Sequence, residues 1–77
     1  MQLDQVPIGT RVIIEAIGGD PAVMQRLLEF GLLEGEMLEV IAQAPMGDPL
    51  EIRIGRTRLS LRRAEAAGIR VRLIDAS

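Results

Sequence analysis

Alternation of apolar and polar residues in the second half of the chain limits its fold more strongly than any other feature. Apolar residues occupy every second position of Leu50–Ile54, with Glu and Arg between them, which is the period of a strand with one buried face. The dipeptide Gly55-Arg56 is a Gly-first turn of the kind that joins two strands in a tight hairpin. The returning strand is predicted over Thr57–Leu61, with Leu59 and Leu61 facing the core.

Three further runs of β-branched and aliphatic residues predict the remaining strands. These strands are predicted over Arg11–Ile17, Met37–Ala42 and Ile69–Leu73. Val12, Ile13 and Ile14 break the alternation of the first strand, which indicates either burial on both faces or a β-bulge. One helical turn is predicted over Arg62–Ala67, and the tail from Ile74 to Ser77 is expected to be frayed.

A helix is predicted between the first two strands. Asp20 can accept hydrogen bonds from the free N–H groups at its start, and Pro21 suits the first helical position. The helix is expected to run to about Phe30. Gly31 fits the left-handed position just past a helix end, so that Leu32 can fold back on the last turn.

Five short strands in 77 residues must curl to enclose one core. The sequence therefore predicts a mainly β fold: a small five-stranded barrel with one inserted α-helix and a short helical turn before the last strand. We expect a single domain over residues 1–77. Because the chain has no Cys, its stability must come from the packing of its apolar residues, which make up 48% of the sequence.

The absence of both His and Cys excludes most catalytic chemistry. No Ser, Thr or Asp lies in a motif that would join it to a base, and the sequence has no phosphate-binding loop. We therefore expect no enzyme activity, no catalytic residues, no cofactor and no metal site. Glu34, Glu36 and Glu39 form an acidic cluster without the spacing of a calcium loop, and the prediction is a solvated rim.

The net charge of −2 gives no basic surface for nucleic acid. No segment is long and apolar enough to span a membrane, and the N-terminus lacks the pattern of a signal peptide. The expected location is the cytosol, without direct membrane insertion. A single aromatic residue, Phe30, cannot line a groove for proline-rich ligands.

The helix carries more apolar surface than a small core requires. Its predicted core stripe consists of Val23, Leu27 and Phe30. Met24 and Leu28 widen the apolar arc to about 160°, at 100° per residue. Either the barrel and a loop cover this extra surface, or it is a partner-binding patch that continues to Leu33, with Leu32 packing inward. The loop Met46-Gly47-Asp48 is a second candidate for partner binding.

The segment Arg26–Gly35 resembles the central signature of FeoA proteins, which reads roughly R-L-x-E-x-G-L-x-x-G. Three other stretches resemble further elements of that family, in order and with plausible spacing. These are Val6–Gly9, Pro45–Pro49 and Leu59–Ala66 followed by Ile69–Val71. Glu34 departs from the pattern, because many members have Pro there.

The resemblance implies an SH3-like barrel that acts as a cytosolic accessory of FeoB, the membrane ferrous-iron permease with a G-protein domain. How such a domain acts on the permease does not follow from the resemblance. The leading hypothesis is a module that binds the cytosolic part of the permease, is recruited by it to the inner face of the membrane, and modulates transport or GTP hydrolysis. The alternative is a regulatory module acting on another partner such as a transcriptional regulator, since DtxR-type iron-dependent repressors carry the same domain at their C-terminus. A direct iron carrier is disfavoured by the missing His and Cys. The formation of a homodimer is a further alternative that the sequence leaves open.

Overall fold

A computed structural model of the chain describes residues 1–74, which form one antiparallel sheet, one α-helix and two short helical turns. The elements are a 3-10 turn Leu3–Gln5, β1 Arg11–Ile17, α1 Pro21–Glu29, β2 Met37–Gln43, β3 Leu50–Ile54, β4 Thr57–Leu61, α2 Arg63–Ala66 and β5 Ile69–Leu73. The predicted strands, inserted helix and helical turn before the last strand are confirmed. The expectation for the tail covers residues 74–77. Ile74 follows β5 outside any strand or helix, and residues 75–77 lie outside the described residues.

The strands are arranged in the order β4-β3-β2-β1-β5, and every neighbouring pair is antiparallel. The pairing of β1 with β5 shifts register between Ile14 and Ala16, and that of β2 with β3 shifts between Val40 and Ala42. Of the two alternatives for the first strand, a bulge is thus present, and it lies at Glu15, after the apolar run. Within that run Val12 and Ile14 are buried and Ile13 is partly buried. Because a bulge bends its strand and increases the local twist, these two shifts help the sheet to curl around the core.

Within residues 1–74 the buried core consists of aliphatic side chains, and every strand contributes to it. Its buried members are Leu3, Val6, Val12, Ile14, Leu27, Leu32, Leu38, Val40, Leu50, Ile52, Ile54, Leu61, Ala66, Ile69 and Val71. Ile52 and Val71 are fully buried as the alternation predicts, whereas Leu59 is partly buried and packs at the margin of the core. Among residues 1–74 no polar side chain is buried, so packing rather than internal hydrogen bonding holds this core together.

The C-terminal end of α1 departs from the prediction at Phe30, whose assignment to the core was wrong because the residue is 49% exposed. Gly31 takes a left-handed conformation (φ 92°) and donates to Leu28 O at 3.0 Å, while the N–H of Leu32 donates to Leu27 O at 3.0 Å. These two bonds make a Schellman motif. The chain reverses there, so Leu32 fills the core position and Phe30, the cap residue, stays outside.

A backbone contact between Gly18 and Gly68 closes one end of the β1–β5 ladder. The N–H of Gly18 donates to Gly68 O at 2.7 Å. A Cβ atom added at Gly68 would lie 2.6 Å from Gly18 O, closer than side chains approach backbone oxygen. The contact therefore requires a residue without a side chain at position 68.

Replacing Ile52 by Ala should lower the free energy of unfolding by about 2–5 kcal/mol, because it leaves a cavity among fully buried aliphatic groups. The matched control is Ile8→Ala, the same chemical change at a side chain that is 52% exposed. Thermal and urea unfolding of both variants measure the difference. Equal midpoints for the two variants would show that Ile52 is not a core residue.

Replacing Gly68 by Ala should destabilise the domain by about 1–3 kcal/mol, since the new methyl group overpacks against Gly18 O. The control is Ala67→Ser, which adds one heavy atom at the exposed neighbouring position. Urea unfolding with the slope held common gives the comparison. A Gly68→Ala variant as stable as Ala67→Ser would contradict the close approach of the two glycines.

Candidate partner-binding surface

The helix α1 is attached to the domain by its inner side and by one ion pair. The carboxylate of Asp20 caps its start, where Oδ1 accepts from the N–H of Ala22 at 2.8 Å. Leu27 is buried and Val23 packs against the core. The guanidinium of Arg26 pairs with Glu65 of α2. These contacts set the orientation of the helix, and hence of the side chains on its outer side.

We use the name helix patch for four apolar residues in and after α1 that are exposed or partly exposed: Met24, Leu28, Phe30 and Leu33. Met24 is partly buried, whereas Leu28, Phe30 and Leu33 are 44%, 49% and 47% exposed. Met24 and Leu28 are one helical turn apart and therefore lie on the same face. The expectation that Leu32 packs inward while Leu33 points outward is confirmed. Exposed aliphatic and aromatic groups of this kind are available for a partner to cover.

Sequence reasoning missed Phe30 as a member of the patch. It extended the helical periodicity through position 30, although the helix ends at Glu29. The signal that identifies Phe30 correctly is its place immediately before Gly31. A residue directly before the left-handed glycine is the cap, and its side chain need not follow the core stripe of the helix.

Several acidic residues lie next to the members of the helix patch along the chain. Glu29 accepts from Gln25 Nε2 at 3.4 Å, and Glu34 and Glu36 are exposed beside Leu33. Glu39 does not belong to this rim, because it is half-buried and binds Arg53 Nη2 at 2.6 Å. Within residues 1–74 no three acidic side chains come close enough to hold a metal ion. The rim is thus acidic and solvated.

The second candidate, the loop Met46-Gly47-Asp48, is held in place by Arg63 of α2. The guanidinium donates from Nε to Gly47 O at 2.5 Å, from Nη1 to Asp4 O at 2.6 Å and from Nη2 to Gln43 Oε1 at 2.9 Å. The backbone N–H of Arg63 donates to Asp48 Oδ1 at 3.0 Å. One arginine therefore joins the loop, the end of β2, the N-terminal 3-10 turn and α2.

These bonds limit which atoms of the loop can contact a partner protein. Gly47 and Asp48 already use a carbonyl and a carboxylate oxygen in bonds to Arg63, whereas the side chain of Met46 is 92% exposed. Met46 therefore offers a side chain that a partner can contact without any internal bond being broken. Sequence reasoning did not identify Arg63, which the sequence does not distinguish from its neighbour Arg62.

The cavities of the described part of the chain are small or open. One of about 180 Å³ lies between the start of α1 and α2, lined by Gly19, Asp20 and Glu65 among others. A wider groove of about 500 Å³ is open to solvent beside Met37 and Leu73. Enclosed ligand sites usually span about 300–1,000 Å³, so the smaller cavity does not suit a cofactor. No helix in residues 1–74 has the length and hydropathy that crossing a bilayer requires.

A family model described as the FeoA domain matches residues 1–73. Among curated proteins, the chain is 35% identical over all its 77 residues to a fusion protein of Fe(2+) transport protein A and the Fe(2+) transporter FeoB from Porphyromonas gingivalis. The chain spans only 9% of the length of that relative.

Solved structures agree with this match. The FeoA protein of Chlorobium tepidum superposes with a TM-score of 0.94 at 36% identity, covering 100% of this chain and 73% of the other. FeoA of Stenotrophomonas maltophilia superposes with a TM-score of 0.82 at 33% identity, covering 94% of this chain and 89% of the other. That protein is described as a prokaryotic SH3 domain protein and was solved in complex with zinc.

A manganese-dependent transcriptional repressor shares the fold alone, with a TM-score of 0.87 at 20% identity over 96% of this chain and 36% of the repressor. The expected occurrence of the fold in metal-dependent repressors is thus confirmed, as is the SH3-like class of the barrel. With a family model covering almost its entire length and relatives above 30% identity, the chain belongs to the FeoA domain family of ferrous-iron transport proteins.

Proposed function

We propose that this domain is a non-enzymatic accessory of bacterial ferrous-iron uptake that binds the cytosolic part of a FeoB-type permease and modulates its transport or GTP hydrolysis. The observation that carries the proposal is the relative in which the same domain and FeoB form one chain. Covalent fusion holds two modules at high effective concentration, which favours a contact between them. Where the domain is not fused to the permease, the same contact recruits it to the inner face of the membrane.

The helix patch is the surface we assign to this contact. Leu28, Phe30 and Leu33 supply apolar anchors, and Glu29, Glu34 and Glu36 supply an acidic rim. Cytosolic loops of membrane proteins carry an excess of Lys and Arg. An apolar depression with basic surroundings on the permease therefore complements the patch in both hydrophobicity and charge. Anionic lipid headgroups would repel the same rim, which favours the protein over the bilayer as the partner of this surface.

A role without catalysis follows from the chemistry the chain offers. The sequence contains no His or Cys, and its Ser, Thr and Asp residues stand outside any motif that would pair them with a base. We therefore expect the domain to act on the permease by binding to it. A bound domain can shift the permease between conformations if it binds one of them more tightly.

Replacing Leu28 by Gln should abolish binding to the permease while leaving the melting temperature close to that of wild type. The side chain is 44% exposed and lies outside the core, so a polar amide costs little in the free domain but is buried without a partner in the complex. Binding of purified domain to the purified cytosolic region of the permease, by calorimetry, checks the prediction.

The matched variant is Met46→Gln, which makes a comparable change at the second candidate site. It should bind like wild type if the helix patch is the contact. Loss of binding in Met46→Gln with retention in Leu28→Gln would move the site to the loop. Unfolding of Leu28→Gln would instead place Leu28 in the core, and wild-type binding by both variants would contradict both sites.

The isolated domain should bind iron(II) and zinc weakly or not at all, because imidazole and thiolate ligands are missing. Zinc is the more demanding of the two tests, because FeoA of Stenotrophomonas maltophilia was solved in complex with zinc. Anaerobic calorimetry with each metal provides the measurement. A stoichiometric site of sub-micromolar affinity would contradict the accessory role and support a carrier.

A further inference from the structure

The two edges of the sheet differ in what covers them. At the β5 edge, the N–H of Val71 donates to Met1 O at 2.8 Å, and Gln2 bridges to Arg70. The N-terminus therefore closes that edge. Strand β4, at the other end of the sheet, pairs only with β3 within residues 1–74.

The register of the hairpin shows which backbone groups of β4 face outward. Ile54 and Thr57 flank the two-residue turn and form its first hydrogen-bonded pair, so Leu59 and Leu61 also bond to β3. The N–H and C=O groups of Arg58 and Ser60 then point away from the sheet. Both residues are exposed, and no backbone group of residues 1–74 outside β3 bonds to them.

The charge of this edge is opposite to that of the chain as a whole. Residues 55–64 contain four Arg and no acidic residue, in a chain of net charge −2. Arg58 pairs with Glu51 at 3.0 Å, whereas Arg56 and Arg62 have no carboxylate within 4.0 Å among residues 1–74. Because the guanidinium of Arg63 is bonded to Gly47, Asp4 and Gln43, the positive charge beside the open edge comes mainly from Arg56 and Arg62.

The two faces of β4 differ in character. Arg58 and Ser60 lie on the outer, solvent face, and Leu59 lies on the inner face and is only partly buried. Arg62 follows directly after the strand, as the cap residue of α2, and is exposed. An added strand with acidic residues at alternate positions would meet the arginines on one face. Apolar residues on its other face would cover Leu59.

We propose that the outer edge of β4 binds an extended acidic segment of a partner protein, in which acidic and apolar residues alternate, as an additional strand of the sheet. Backbone hydrogen bonds to Arg58 and Ser60 would supply affinity, and the arginines would supply specificity. Charged residues on an edge also block pairing with other strands. Arginines repel basic strands but attract acidic ones, so the same charges select this class of ligand. This surface is separate from the helix patch and does not depend on it.

The test is a titration of the full ¹⁵N-labelled chain with a short, end-blocked peptide in which Glu and Val alternate. We expect chemical-shift changes and slowed hydrogen exchange at the amides of Arg58 and Ser60. The same peptide with Lys in place of Glu should bind several-fold more weakly. An unchanged spectrum at millimolar peptide, or an equal response to both peptides, would overturn the proposal.

Two variants separate the backbone and charge contributions. Ser60→Pro removes an outward N–H while sparing the bonds to β3, and should lose the response that Ser60→Ala retains. If Ser60→Pro does not fold, the double variant Arg58→Glu and Arg62→Glu should reverse the preference toward the Lys peptide. Shifts produced by phosphatidylglycerol vesicles or inorganic phosphate but not by the Glu peptide would define a lipid or anion surface and overturn the proposal.

Discussion

The reversal of the chain at Gly31 is the constraint on which the candidate site depends. Two backbone bonds, from Gly31 to Leu28 O and from Leu32 to Leu27 O, end the helix there. They direct Leu32 into the core and leave the residues on either side of the turn exposed. One local hydrogen-bonding motif thus completes the core and creates an apolar surface outside it. A side chain at position 31 would be strained in this left-handed conformation.

Charge divides the surface of the domain into regions suited to different ligands. Carboxylates accompany the helix patch, whereas arginines occupy the open edge of β4. A small net charge therefore conceals two local regions of opposite sign. A partner with a basic, apolar depression fits the first region, and an acidic extended segment fits the second.

The sequence predicts the elements well where a local pattern determines them. The hairpin of β3 and β4 follows from strict alternation around Gly55-Arg56, and the start of α1 follows from Asp20-Pro21. Phe30 was misplaced because helical periodicity was extended past the helix end. The role of Arg63 could not be predicted, since its partners Asp4, Gln43 and Gly47 are distant in sequence and meet only in the folded chain.

The central proposal is that the permease binds the domain through the helix patch. The chain has no native Cys, so a single cysteine can carry a short photo-crosslinker at a chosen position. The direct measurement places it at Leu33 or, as a control, at Met46, and mixes each labelled domain with the cytosolic region of the permease. We expect a crosslinked complex from position 33 and none from position 46. Crosslinking from position 46 alone, or from neither position under conditions where the wild-type domain binds, would contradict the proposal.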